Sequence, residues 1–148
     1  MKKKRILLAF ISVAFIGGAW FGYSEYNRKV KDLSTVVAEM TMQTNELIAA
    51  FEKDEMAANA KYLDKIIAVK GNVKEIEKND RGHYSIVLGD DGSISSVRCS
   101  MDSVHVRNIL TLIKGSTVTV KGACTGFNAD ELLGSDVILN RCVIEERK

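Results

Sequence analysis

The sequence predicts a mainly β domain, a five-stranded Greek-key barrel, preceded by two N-terminal helical stretches. Three observations carry that expectation. Runs of strand length, rich in Val, Ile and Thr, fill residues 66–144 and are separated by Gly, Asn, Asp and Ser. One helical patch falls between the third and fourth runs, which gives the order β-β-β-α-β-β of an OB-fold barrel. Gly71 and Gly122 interrupt the two long runs, where a small barrel needs sharp coiling or close backbone approach.

The chain opens with Lys2, Lys3, Lys4 and Arg5, read as a cytoplasmic tail over residues 1–5. Residues 6–23, ILLAFISVAFIGGAWFGY, carry no charge. At 1.5 Å per residue such a run just crosses a hydrocarbon core of about 30 Å, so it is expected to be a transmembrane anchor. Trp20, Phe21 and Tyr23 stand at its far end as an aromatic belt. The positive-inside rule then makes this a single-pass inner-membrane protein with the remainder in the periplasm. A cleavable signal peptide, and hence secretion, is the competing reading. Gly17-Gly18-Ala19 would suit a peptidase, whereas the bulky Trp20-Phe21 that follows suits a retained anchor.

Residues 24–64 are expected to form a helical stalk or docking helix. Leu33, Val37, Met40, Thr44, Leu47 and Phe51 recur at spacings of three and four, and Ala57, Ala58 and Tyr62 extend the stripe. The stripe could pair with a second copy, as a weak homodimer through residues 33–51. With fewer than three heptads, it is better read as an amphipathic helix that lays Leu47, Ile48, Phe51 and Tyr62 on its own barrel.

The OB-fold domain is assigned to residues 65–148. Its runs are IIAVKGNVKEIEK, YSIVL and SSVRCSM, then the helical SVHVRNILTLI, then STVTVKGACTGF and DVILNRCVI. Alternation turns Ile67, Val69, Gly71 and Val73 inward, with Val97, Cys99 and Met101, and with Val118, Val120, Gly122 and Cys124. KNDRGH and GDDGS supply the first two hairpin turns. Asp102 is a fitting N-cap for the helical patch, and Lys114-Gly115 end it.

Charge restricts the function. Residues 32–64 carry two basic and seven acidic side chains, and residues 65–148 twelve and eleven. Nucleic-acid binding normally shows a clustered basic surplus, and this barrel has almost none. No nucleophile motif, phosphate loop or metal-ligand spacing is present, so the expectation is no catalytic residue, no metal and no cofactor. Asp90-Asp91 read as turn residues. In a hairpin centred on Leu133, Cys124 and Cys142 fall opposite each other, so they form either a disulfide or, with Cys99, a set of buried thiols.

OB barrels bind on the face of their second and third strands, between the first-second and fourth-fifth loops. Mapped onto this chain, that surface offers His83, Tyr84, Arg98, Phe127 and Asn128 as candidate binding residues. Phe127 is the lone aromatic of TGFNADELLGSD and is expected to plug the barrel mouth; the alternative sets it in the groove beside Arg98.

The stretches DE-x-AANAKYLDK-x-I-x-V-x-G-x-V-x-x-IEK, LGDDGS-x-SSVRCSMD and KG-x-TVTVKG-x-C-TGFNADELLGSDVILNRC resemble the bacterial OB-fold family called tRNA-anti-like. The resemblance runs from Glu52 to Ile144 behind a membrane segment. It implies a fold similar to anticodon-binding domains and carries no catalytic motif. The expected function is a membrane-anchored, non-catalytic binding module for an envelope protein, an oligosaccharide or a small ligand. Single-stranded nucleic-acid binding is the alternative, raised by the family's name and the fold.

Overall fold

The computed structural model describes residues 17, 18, 20, 21, 23, 32–130 and 134–145, with the backbone alone at 106 and 107. The chain divides into two units, residues 1–31 and 32–148. Most of the expected anchor at residues 6–23 lies outside the described residues; Gly17, Gly18, Trp20, Phe21 and Tyr23 are helical and the last three are exposed. Among the described residues no helix is long and apolar enough to cross a membrane.

The second unit is the barrel. Strand β1 (Met40–Gln43) leads into helix α1 (Thr44–Lys53) and helix α2 (Glu55–Tyr62). Strands β2 (Ile66–Lys78), β3 (Tyr84–Leu88) and β4 (Ser96–Met101) follow, then a 3₁₀ segment (Ser103–Thr111), β5 (Thr117–Asn128) and β6 (Asp136–Ile144). The sheet runs β1-β2-β3-β4-β6-β5, and β5 returns to pair with β2, which closes the five expected strands into a barrel. β2 serves both ends of that closure. Its first half, Ile66–Asn72, pairs with β5, and beyond a bulge at Val73/Glu75 its second half pairs with β3. Ile67, Val69, Val97, Cys99, Val120 and Cys124 are fully buried, as alternation requires.

The stretch before α1 departs from the expected continuous helix of residues 24–64. Met40–Gln43 pair in parallel with Ile67–Lys70 as a sixth strand. Met40 and Met42 turn half-buried toward the core while Thr41 and Gln43 face out, a period of two rather than 3.6. The pairing covers an otherwise open edge of β2, and this tertiary gain overrides the local helical spacing. Asp54 divides the remaining helix: its backbone is extended, and its carboxylate accepts a 2.9 Å bond from the Ala57 N–H to start α2.

The docking face is the expected one. Leu47, Ile48, Phe51 and Tyr62 are buried against the barrel. Of the stripe expected over residues 33–51, Leu33, Thr44, Leu47 and Phe51 are buried within the chain, while Val37 is exposed. Gly71 lets α1 approach: a Cβ there would lie 1.9 Å from the Thr44 hydroxyl, which donates to the Lys70 carbonyl at 3.1 Å.

Of the two readings open for the cysteines, the structure has the buried thiols and not the Cys124–Cys142 disulfide. Cys99, Cys124 and Cys142 are buried free thiols. In the β5–β6 register Asn128 faces Asp136 and Cys124 faces Leu139, so Cys124 lies three residues away from the position opposite Cys142. Cys142 lies opposite Met101 of the neighbouring strand β4, and its Sγ occupies the space that Gly122 leaves open.

Candidate functional site

The ligand face of an OB barrel corresponds here to the outer surface of β3 and β4. Because Val97, Cys99 and Met101 point inward, Ser96, Arg98 and Ser100 point out. Ser85 and Val87 of β3 lie opposite Ser100 and Arg98, and Glu75 and Glu77 of β2 lie opposite Val87 and Ser85. Arg98 is therefore central. Its Nη1 donates to Glu77 Oε2 at 2.6 Å, and its Nε lies 3.5 Å from Asp136 Oδ2 on β6. The Glu77 bond, with Asp136 beside it, holds the guanidinium above its ordinary pKa. The same two carboxylates cancel its charge. Asp136 is positioned in turn by a short bond from the Ser96 hydroxyl.

The five sequence-derived candidates do not converge. Arg98 sits on the face, and Asn128, exposed at the end of β5, pairs with Asp136 beside it. His83 is exposed in the β2–β3 turn, where its N–H and that of Arg81 donate to Asn79 Oδ1. Tyr84 starts β3 half-buried against the core, with the Lys78 ammonium 5.3 Å from its ring centre. Phe127 turns inward instead. The Cys124/Gly126 bulge inserts one residue into the alternation, which places Phe127 beside fully buried Val137 rather than on the outer face. Its ring stacks on Phe51 at 5.1 Å and 21°, and Phe51 also meets Tyr62 at 6.0 Å. These three aromatics fill the barrel mouth under α1 and α2.

A second cluster escaped sequence reasoning. An open cleft of about 640 Å³ lies between the 32–34 segment, the 3₁₀ segment and the β5–β6 pair. Ser34, His105, Asn108, Lys121 and Glu145 line it. Lys121 leaves the outer side of β5 between Val143 and Ala68, and its side chain is only 7% exposed. Across the cleft edge His105 Nε2 stands 3.1 Å from Asp32. The Ser34 N–H, and then His105, hold the Asp32 carboxyl below its usual pKa. Strand alternation does mark Lys121 as outward, but an outward lysine reads as solvated until the 32–34 segment is seen lying over it. Among the described residues no three His, Cys, Asp or Glu side chains are grouped to hold a metal ion.

A closed five-stranded barrel with one helical segment before its fourth strand and an outward ligand face defines an OB-fold domain. The family model tRNA_anti-like matches residues 1–143, and the chain belongs to that family. Among solved structures it is similar to a "putative nucleic acid-binding lipoprotein" from Klebsiella pneumoniae, at 14% identity and a TM-score of 0.57, over 80% of this chain and all of that one. It is also similar to Entamoeba histolytica asparaginyl-tRNA synthetase, at 11% identity and a TM-score of 0.39, over 55% of this chain and 20% of that one. No curated protein matches the chain.

Proposed function

We propose that the protein is a non-catalytic OB-fold binding module, held in the bacterial inner membrane by residues 6–23, whose barrel engages a neutral or basic partner on the envelope side. An extended protein segment, an oligosaccharide or a small ligand would meet that description. The observation that carries this reading is the state of Arg98. The central cation of the ligand face is already neutralised by Glu77 and Asp136, so a phosphate arriving there must displace carboxylates. The near-balanced charge of residues 65–148 points the same way.

Single-stranded nucleic-acid binding is the second reading, favoured by the name of the Klebsiella pneumoniae structure and by the family's own name. Gel retardation of single-stranded DNA and RNA by the purified chain separates the two. The proposal expects no retardation at submicromolar protein, whereas submicromolar binding that weakens steeply with salt would establish the alternative. The topology is tested separately by a reporter fused after Lys148, expected to be active only when exported. Activity in a cytoplasmic form would contradict the anchor.

A further inference from the structure

The cleft over Lys121 is built around a buried cation with poor partners. Burying an ammonium costs several kcal/mol unless close hydrogen bonds replace its water. Charge-assisted bonds from nitrogen to oxygen run at about 2.7–2.9 Å. Lys121 Nζ instead lies 3.4 Å from the Ser34 carbonyl and 3.5 Å from Glu145 Oε1. The Glu145 side chain is 37% exposed, so its carboxylate is the solvated partner of the pair. At about 640 Å³ the cleft falls within the range of small-molecule sites. Its lining mixes hydrogen-bonding groups from Ser34, His105 and Asn108 with the apolar Val143 and Ile144.

We propose that this cleft binds a small ligand bearing an oxyanion, a carboxylate or a phosphate group, which replaces Glu145 as the partner of Lys121. The ligand's charged oxygen takes the ammonium at hydrogen-bond distance, its polar groups meet the Ser34–His105–Asn108 rim, and its carbon skeleton lies on Ile144. The site uses β5, β6 and the 3₁₀ segment, and none of its lining residues lies on the β3–β4 face. It is therefore independent of what that face binds.

The test is calorimetric titration of the full chain in detergent with acetate and, separately, inorganic phosphate. The pair identifies which oxyanion the cleft prefers. Saturable binding by at least one anion is expected in the millimolar range, as for a simple head group without its skeleton. Glu145→Gln removes the competing carboxylate and should tighten binding by on the order of tenfold. Lys121→Met should abolish it. Replacing a buried charge by an apolar side chain of similar length is often tolerated, and a melting curve checks that this variant folds. Should Lys121→Met not fold, Glu145→Gln decides alone, because it leaves Lys121 in place. Absence of saturable binding by both anions, or binding indifferent to Glu145→Gln, would show Lys121–Glu145 to be a structural ion pair and overturn the proposal.

Discussion

Truncating the aromatic plug tests how the helices and barrel depend on each other. Phe51 is 1% exposed and lies between Phe127 and Tyr62. A fully buried phenylalanine reduced to alanine costs about 3–5 kcal/mol, and Phe51→Ala should fall in that range. Phe127 is half-buried, so Phe127→Ala should cost about 2–3 kcal/mol on the same scale. For a domain the size of residues 32–148, each kcal/mol lowers the melting temperature by roughly 4 °C. The expected shifts are thus about 12–20 °C and about 8–12 °C. Because the rings stack, the double variant should recover about 0.5–1.5 kcal/mol of coupling in a double-mutant cycle. Melting followed by circular dichroism measures all three. A Phe127→Ala curve unchanged from the parent would refute the plug and return Phe127 to the list of ligand-contacting candidates.

Other substitutions probe single features. Asp54→Ala removes the cap that starts α2 and should cost about 1 kcal/mol in urea unfolding; no change would show that packing alone places the helix. Gly122→Ala drives a methyl against the Cys142 sulfur and should cost about 1–3 kcal/mol, relieved in part by a second Cys142→Ala change. Independent, additive losses would place the strain elsewhere. Burial pushes the Cys124 and Cys142 thiols up, so native protein should react slowly with a thiol reagent and unfolded, unreduced protein should yield all three cysteines. A non-reduced mass short by two hydrogens would instead reveal a disulfide.

Much of the barrel is legible from alternation. Each inward residue assigned on β2, β4 and β5 shares its face with two or three others, and only one register buries them together. The α1–α2 docking face is equally readable, since Leu47, Ile48 and Phe51 repeat at helical spacing. Strand β1 is not, because MTMQ gains its conformation from the open edge of β2, which lies over twenty residues further along the chain. The bulge on β5 at Cys124/Gly126 is also invisible in sequence, and it turns Phe127 into the core. The site suffers most from such long-range effects. Arg98 is identifiable as an outward cation, but its neutralisation depends on Glu77 and Asp136 arriving from two other strands. Lys121 depends likewise on the 32–34 segment crossing above it.

The central claim is that Glu77 and Asp136 keep the OB ligand face from acting as a phosphate-binding surface. Fluorescence anisotropy of a labelled single-stranded oligonucleotide, titrated with the parent chain and with Glu77→Gln/Asp136→Asn at two salt concentrations, addresses it most directly. The parent should show no submicromolar binding. The double variant, with Arg98 released, should gain affinity that falls as salt rises, by about one unit of slope for the one phosphate contact that Arg98 adds. Tight, salt-sensitive binding by the parent, unaffected by the two substitutions, would contradict the account.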